Sequence, residues 1–362
     1  MKLSVKVTGL RIVEVLGILA SAVCAEAQFV AVRMNVPDGT VTTEMYGGRF
    51  GQVVGLAYTP ERRAMIWTGP NSTPVDITPS VSGTPFVLGT DGLDQVGSNY
   101  TNDRNHAVMW SGTAASWKSL HPSHTANSWA SAVHNGVQVG SVIIEGNTQA
   151  RASRWRGTAQ SWQDIHPPGF AKSSANNIFN DEIVGTAHYN SGSAAALWTG
   201  ESARFVNLHP DAADVSYGFG AYEGVQVGSA RVDNVFRASL WRGSASTWVN
   251  LGGYGPWDSG VSAVWGNTQV GGTATTHWSE ASLWRGTTAS HVNLHAFLPS
   301  GYYSSYANGV WESDGVTYVY GSASSNGESH LFTWVSVPEP SSFFAVASGF
   351  LILRLFGRGR LR

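Results

Sequence analysis

The chain has 362 residues, of which 42% are hydrophobic and 13% are charged, and its formal net charge is −2. This much apolar sequence supplies a core, so the chain is not disordered. It has no excess of basic residues to neutralise phosphates, which excludes nucleic-acid binding. The only cysteine is Cys24, which excludes a disulfide framework and a cysteine-based zinc site.

Residues 1–27 have the three parts of a secretory signal peptide. Basic residues come first, an apolar run follows, and Ala25 and Ala27 then form an A-x-A cleavage site. The predicted mature chain begins at Gln28. One alternative is an uncleaved membrane helix, but the apolar run is shorter than the ~20 residues that a span needs. A second alternative is a lipoprotein modified on Cys24, although the residues before it fit the lipidation motif poorly.

Residues 28–336 contain one unit repeated seven times. A glycine recurs every 42–50 residues, after Val in six units and after Val-Tyr in the last: Gly55, Gly97, Gly140, Gly185, Gly228, Gly271 and Gly321. A tryptophan follows each of them at a similar step: Trp67, Trp110, Trp155, Trp198, Trp241, Trp284 and Trp334. In six units this tryptophan begins a Trp-x-Gly motif. Internal repetition of this kind indicates a repeat architecture.

Each unit is predicted to form four short strands. In the fifth unit these strands cover 217–222, 225–230, 238–242 and 248–251. Asn135-Gly136 and Asp314-Gly315 suit two-residue hairpins, because both central residues of such turns need positive φ. Four strands per ~43 residues is the period of a β-propeller blade. The prediction is an all-β, seven-bladed propeller of four-stranded blades, with short helical segments only at the two termini.

The last unit has only three predicted strands, over 303–310, 316–322 and 330–335. A further strand-like run, Phe29 to Val36, precedes the first unit. We therefore expect the N-terminal strand to complete the seventh blade and close the ring, which removes exposed sheet edges. The alternatives are an open solenoid and separate sandwiches. The recurrent tryptophans are expected to pack between adjacent blades.

The repeat resembles the extracellular HAF repeat. The matching segments are Gln52-Val53-Val54-Gly55, His106-Ala107-Val108-Met109-Trp110 and Asn250-Leu251-Gly252. The resemblance spans the body of the chain through short motifs. It implies an extracellular repeat protein and brings no particular activity with it.

The C-terminal segment, 337–362, has three parts in a fixed order. A proline-containing motif comes first (Val337, Pro338, Glu339 and Pro340), an apolar segment over 343–353 follows, and an arginine cluster ends the chain (Arg358, Arg360 and Arg362). This segment resembles the PEP-CTERM sorting signal. The resemblance implies processing by a membrane-embedded exosortase, with the apolar segment in the bilayer and the arginines on its cytoplasmic side. The alternative is an ordinary tail anchor.

We find no catalytic, cofactor-binding or metal-binding constellation in the sequence. Histidines recur at the predicted end of the fourth strand, where a structural role is expected because one ligand per blade cannot converge on one ion: His121, His166, His209 and His295. Acidic residues in apparent turns are expected to be solvated rather than paired as in glycosidases: Asp181, Glu182, Asp211, Asp214, Glu223 and Asp258. We therefore expect that the protein has no cofactor and is not an enzyme.

Two functions stay open. The first is an exported non-enzymatic component of the cell surface or extracellular matrix, an interaction scaffold anchored in the membrane by its tail before processing. The second is a secreted lectin or carbohydrate-active enzyme, because irregularly placed tryptophans suit stacking on sugars: Trp129, Trp257, Trp265, Trp278 and Trp311. The regular unit length favours the first. The expected partners are an exosortase-type enzyme and extracellular polysaccharide or surface proteins.

Overall fold

The computed structural model describes residues 28–252 and 256–337, of which Phe29–Ser336 form one compact unit. The signal peptide predicted over 1–27, the cleavage-site residues Ala25 and Ala27, and the tail beyond Val337 lie outside the described residues. Within the described part, no helix is long and apolar enough to cross a membrane.

The described residues form seven four-stranded sheets. The N-terminal strand is β1 (Gln28–Arg33). The first blade contains β2 (Thr42–Arg49), β3 (Gln52–Thr59), β4 (Glu61–Trp67) and β5 (Val75–Asp76). The second contains β6 (Thr84–Thr90), β7 (Gln95–Thr101), β8 (Arg104–Trp110) and β9 (Lys118–Ser119). The third contains β10 (Thr125–His134), β11 (Val137–Ile144), β12 (Arg151–Trp155) and β13 (Gln163–Asp164).

The remaining blades repeat this order. The fourth contains β14 (Lys172–Phe179), β15 (Glu182–His188), β16 (Ser193–Thr199) and β17 (Arg204–Asn207). The fifth contains β18 (Val215–Tyr222), β19 (Val225–Val232), β20 (Val235–Trp241) and β21 (Val249–Asn250). The sixth contains β22 (Ser259–Trp265), β23 (Thr268–Ala274), β24 (Ser279–Trp284) and β25 (Val292–Asn293). The seventh contains β26 (Ser304–Ser313), β27 (Val316–Ser325) and β28 (Glu328–Val337), joined by β1.

The first strands of neighbouring blades contact one another around a complete ring, with β26 of the seventh blade against β2 of the first. The seven-bladed β-propeller predicted from the repeat is therefore confirmed. Turns between the first and second strands, and between the third and fourth, lie on one face, which we call the hairpin face. Loops between the second and third strands, and links from blade to blade, lie on the opposite, connection face.

The described residues also contain five single turns of 3-10 helix. They cover Ala114–Ser116, Ala159–Ser161, Ala245–Thr247, Thr288–Ser290 and His295–Phe297. The sequence predicts helical segments only at the termini, and these turns are not among its predicted elements. Each has three residues, which is too short for an apolar periodicity to show in the sequence.

The N-terminal strand closes the ring as predicted. The last sheet has the strand order β1-β28-β27-β26. Phe29 is buried and its ring lies 5.8 Å from that of Phe297. Just beyond β1, the backbone carbonyl of Asn35 accepts a hydrogen bond of 2.7 Å from the indole N–H of Trp67. The closing strand is thus joined to the first blade as well as to the last.

The seven recurrent tryptophans are at most 1% exposed. Trp110, for example, lies in a cluster with Val54 and Leu56 of the preceding blade, and Trp198 lies in one with Val139 of the blade before it. The predicted packing of these rings between blades is what the structure shows. Burying one such ring contributes roughly 4–6 kcal/mol before entropy is subtracted.

A buried glutamine explains the glycine of the Trp-x-Gly motif. In four blades its Oε1 accepts a hydrogen bond of 2.7–2.8 Å from that glycine's N–H: Gln95–Gly112, Gln138–Gly157, Gln226–Gly243 and Gln269–Gly286. These glycines have φ between +73° and +78°, a conformation that other residues rarely adopt. In these four blades, the second strand is therefore bonded directly to the Trp-x-Gly motif.

Neighbouring blades are also joined by a repeated serine contact. A serine Oγ of the first strand accepts a hydrogen bond of 2.8–2.9 Å from an alanine N–H in the preceding blade: Ala107–Ser128, Ala152–Ser173, Ala195–Ser216, Ala238–Ser259 and Ala281–Ser305. In four cases a histidine Nδ1 lies 2.7–2.8 Å from the same Oγ: His121, His166, His209 and His295. These contacts give the histidines the structural role that the sequence predicted.

We predict that Ser216→Ala lowers the free energy of unfolding by about 1–3 kcal/mol, because it leaves the buried N–H of Ala195 without an acceptor. His209→Ala should cost less, since Gly252 occupies the corresponding position beside Ser259 in the fifth blade. Denaturant unfolding of both variants measures the difference. Equal losses would contradict the assignment of the serine as the main contact.

Candidate functional site

Every first strand carries a one-residue β-bulge at the same level. The pairing with the second strand shifts there by one residue, as between Met45 and Gly47 in the first blade. The bulged residues are Tyr46, Leu88, Ser131, Asn176, Phe219, Ser262 and Asn308. A bulge re-aims a side chain, and all seven bulged residues line one central cavity.

The recurrent glycine of the sequence lies directly opposite each bulge. Gly271, for example, pairs with Val261, the residue before the bulged Ser262. At all seven of these glycines an added Cβ would lie 1.8–2.1 Å from a carbonyl oxygen of the first strand. The bulge therefore requires a glycine at this position. The most regularly repeated residue of the sequence thus marks the bulges that line the central cavity.

The central cavity has a volume of about 370 Å³, within the ~300–1,000 Å³ of typical ligand pockets. Its lining is mainly neutral, with serine, asparagine, tyrosine and small apolar side chains. Among the described residues that line it, Arg49 is the only charged one. The side-chain oxygens of Asn177 and Asn308 are buried there and have no hydrogen-bond partner in the described part of the chain.

Five aromatic rings lie together at the hairpin end of the cavity. We call them the aromatic belt: Phe50, His134, Phe179, Tyr222 and Trp265. Consecutive rings are 4.5–4.6 Å apart from His134 to Trp265. Phe50 joins the two ends of this arc, with centroids 5.9 Å from His134 and 5.0 Å from Trp265. The belt therefore obstructs, on the hairpin face, the central channel of the propeller, which is the axial space that contains the cavity.

Arg49 crosses the channel beside the belt. Its guanidinium starts from the first blade and donates hydrogen bonds of 2.9 Å and 2.7 Å to the carbonyls of Ile178 and Ala221, in the fourth and fifth blades. It also lies 5.2 Å from the ring of Phe179, within cation–π range. Burial lowers the pKa of Arg49 to about 10, against a smaller raising effect of Tyr222. The group stays charged at neutral pH.

Phe50 has a backbone conformation that is unusual for its residue type. Its φ is +51°, in a turn position that Asn or Asp usually occupies. The corresponding turns of the third and seventh blades contain Asn135 and Asp314. A bulky residue in this region costs about 1–3 kcal/mol, and such strain concentrates at functional sites. The turn places the Phe50 ring over the end of the channel.

The connection face carries most of the exposed aromatic rings. Five of them are 36–52% exposed and lie in its loops and links or, for Tyr100, at the adjoining end of β7: Tyr100, Tyr189, Trp257, Trp278 and Tyr303. Trp278 and Tyr303 form a pair with centroids 4.5 Å apart, and Tyr189 pairs with Phe170 at 4.4 Å. Within the cavity, Tyr46 and Phe219 are each 38% exposed. The connection face thus offers flat apolar surfaces outside the cavity.

The structure separates most of the candidate residues that the sequence singled out. No group of three or more metal-ligating side chains occurs among the described residues. Three of the six acidic turn residues have structural partners. Asp214 pairs with Arg231 at 2.8 Å, Glu182 accepts a hydrogen bond from the N–H of Gly224, and Asp258 accepts one from the N–H of Phe236.

The irregular tryptophans lie in different places. Trp265 belongs to the aromatic belt, and Trp311 donates a hydrogen bond of 2.6 Å to the hydroxyl of Tyr320 in the seventh blade. Trp257 and Trp278 are exposed on the connection face, and Trp129 is partly buried within β10. Only part of this set is therefore available to an external ligand.

Sequence reasoning missed Arg49 and the seven bulged residues. A bulge adds one residue to a strand and leaves no mark in a pattern of short apolar runs. One signal was present, since the unit's glycine is retained in every strand pair and a glycine inside a strand often marks a bulge. The contacts of Arg49 join blades far apart in sequence, and only the closed ring brings them together.

No family model matches the sequence, and no curated protein does. Among solved structures, the β-propeller domain of the trilobed protease from Pyrococcus furiosus, described as having an open velcro topology, has a TM-score of 0.56 and 8% identity over 83% of this chain and 94% of that one. A structure from work on two prolyl endopeptidases has a TM-score of 0.53 and 10% identity over 83% and 51%. An acylaminoacyl peptidase has a TM-score of 0.52 and 9% identity over 84% of this chain and 53% of that one.

The chain thus spans about half the length of the latter two proteins, and at these identities the likeness shows the fold alone. The comparison contradicts the prediction that the protein is not an enzyme. That prediction relied on regular unit lengths and on the lack of a recognisable motif. Because similar propellers occur in peptidases, a regular ring of blades is no argument against catalysis. The identities of 8–10% carry no peptidase activity over to this chain.

Proposed function

We propose that the protein is an exported binding scaffold of the cell surface or extracellular matrix, with its ligand site in the central cavity. The observation that carries this proposal is the set of seven β-bulges, each of which presents one side chain to the same cavity. A bulge interrupts the ladder and leaves a residue unpaired. Its recurrence in all seven blades supports a role for the lining beyond packing.

The proposed ligand class is carbohydrate. Hydroxyl groups need hydrogen-bonding side chains, which the serine and asparagine residues of the lining supply. The apolar faces of sugar rings suit aromatic platforms, and Tyr46 and Phe219 lie exposed within the cavity. The pair Trp278 and Tyr303 on the connection face supports contacts with further units of a polymer.

Export and sorting rest on the two terminal segments. The predicted cleavage before Gln28 would release the chain outside the cytoplasmic membrane. The segment with Pro338, Glu339 and Pro340 resembles a PEP-CTERM signal and supports processing by an exosortase-type enzyme. Membrane anchoring by 343–353 would precede release to the surface or the polymer matrix.

The test is a glycan array followed by titration calorimetry with the best ligand. Ser131→Phe places a bulky ring in the cavity and should reduce affinity at least tenfold. Lys118→Phe, which puts the same ring on the exposed outermost strand of the second blade, should leave affinity unchanged. Binding that is insensitive to Ser131→Phe would place the site elsewhere. Release of reducing sugar from the bound glycan would instead support the carbohydrate-active alternative.

A further inference from the structure

The central cavity contains a positive charge without a matching negative one. Arg49 lines the cavity at its obstructed end. No carboxylate of the described residues forms an ion pair with its guanidinium. Asp91, in the corresponding turn of the second blade, attracts the group from a distance. Its Oδ1 is already engaged with the N–H groups of Leu93 and Asp94.

A buried charge without a counter-ion lowers the stability of the fold, so its presence suggests a function. Burying an ionised side chain without a counter-ion carries a desolvation penalty of several kcal/mol. Carbonyl groups of Ile178 and Ala221 accept hydrogen bonds from two of the guanidinium nitrogens, and a guanidinium has five N–H donors in all. Cation–π contact with Phe179 offsets part of the penalty. Donors and net charge remain for an anion in the cavity.

The lining also contains hydrogen-bond acceptors. The buried side-chain oxygens of Asn177 and Asn308 are acceptors without donors in the described structure. A rotation of either amide into the cavity would let a ligand hydroxyl donate to its oxygen. A ligand that satisfies this cavity therefore combines a carboxylate for Arg49 with hydroxyls for the two asparagines.

We propose that the central cavity binds a hydroxylated carboxylate of monosaccharide size, such as the terminal uronic acid of an acidic polysaccharide, with its carboxylate at Arg49. A guanidinium recognises a carboxylate through parallel hydrogen bonds. The proposal deepens the proposed function and rests on it, because it assigns the acidic class of sugar to the same cavity.

The experiment compares glucuronate with glucose, which has the same ring but a hydroxymethyl group in place of the carboxylate. Titration calorimetry with the full chain should give glucuronate at least tenfold higher affinity. Cyclohexanecarboxylate, which has the charge without the hydroxyls, should bind weakly. A glucuronate-terminated oligosaccharide, measured against the free acid, distinguishes a polymer end from a small metabolite as the source of the ligand.

The key variant is Arg49→Gln, which removes the charge and retains hydrogen-bond donors. The preference for glucuronate over glucose should fall to within about twofold, whereas Arg49→Lys should retain part of it. Thermal unfolding checks that both variants fold, since Arg49 also joins three blades. If Arg49→Gln does not fold, glucuronamide provides the test in the unaltered chain: it has the ring and hydroxyls of glucuronate without the charge, and it should bind no better than glucose.

The outcomes separate the two proposals. Equal affinity for glucose and glucuronate, with both reduced by Ser131→Phe, overturns the acidic ligand and leaves the carbohydrate site standing. An unchanged preference in a folded Arg49→Gln variant also overturns the role of Arg49. Binding of no saccharide in the cavity overturns both proposals.

Discussion

Replacing Gly271 with alanine should lower the free energy of unfolding by about 3 kcal/mol, the upper part of the range for overpacked sites. The added Cβ would lie 2.0 Å from the carbonyl oxygen of Gly260. Because that atom belongs to the backbone of the first strand, a side-chain rearrangement cannot relieve the contact. The sheet must separate beside the bulged Ser262. Denaturant unfolding measures the loss.

Gly260→Ala is the matched control, since the two glycines lie in paired strands of the same sheet. Its added Cβ has no neighbour closer than 3.9 Å. Alanine also restricts the unfolded chain, so this variant should be neutral or more stable by up to ~1 kcal/mol. Ligand binding should be lost only in Gly271→Ala. Similar stabilities for the two variants would show that the bulge does not require its glycine.

Removing residues 28–35 should destabilise the propeller by roughly 5 kcal/mol, a large part of the stability of a typical domain. The deletion exposes the apolar partners of Phe29 and Met34, which are 5% and 2% exposed. It also removes the acceptor of the Trp67 indole N–H. The edge of β28 becomes free to pair with other chains. We expect a lower unfolding midpoint and aggregation, measured by thermal unfolding and light scattering.

Restoring the strand at the other end of the chain provides the control. In the fifth blade, seven residues, 242–248, connect the third strand to the fourth. In the control variant, a copy of residues 242–248 is placed directly after Val337 as a linker, and residues 28–35 follow it. The moved strand can then occupy its original place beside β28 in the same sheet. It should recover most of the lost stability. Failure to recover would mean that β1 acts through its link to the first blade and not by completing the seventh.

Much of the fold could be predicted because all seven blades have the same structure, and their sequence pattern therefore repeats. The 43-residue step, the tryptophan and the glycine identified seven equivalent blades, and the unpaired run from Phe29 identified the closing strand. The strand ends were less predictable. The first strand of the last unit, predicted over 303–310, extends over Ser304–Ser313, since pairing with a long second strand prolongs it beyond its apolar residues.

The candidate site was much less predictable, for a physical reason. Arg49 and Phe50 occupy an ordinary turn position, and their importance depends on the residues that the closed ring places across the axis from them. The partners of Arg49 are Ile178 and Ala221, more than a hundred positions away. They contribute backbone carbonyls, and the position of a backbone carbonyl cannot be predicted from the pattern of side chains in the sequence.

The bulges have a consequence for how such a protein can change over generations. A bulged residue has no opposite partner in its sheet, so pairing within the blade depends on the facing glycine more than on the bulged side chain. The side chains of Asn176 and Ser262 are exceptions with a second role, since they donate hydrogen bonds to Gly218 and Tyr306 of the next blade. Ser131 and Leu88 occupy equivalent places in different blades without altering the architecture. Mutations at the other five places can therefore change the ligand specificity while the fold is preserved. A combinatorial library confined to them offers the same freedom to engineering.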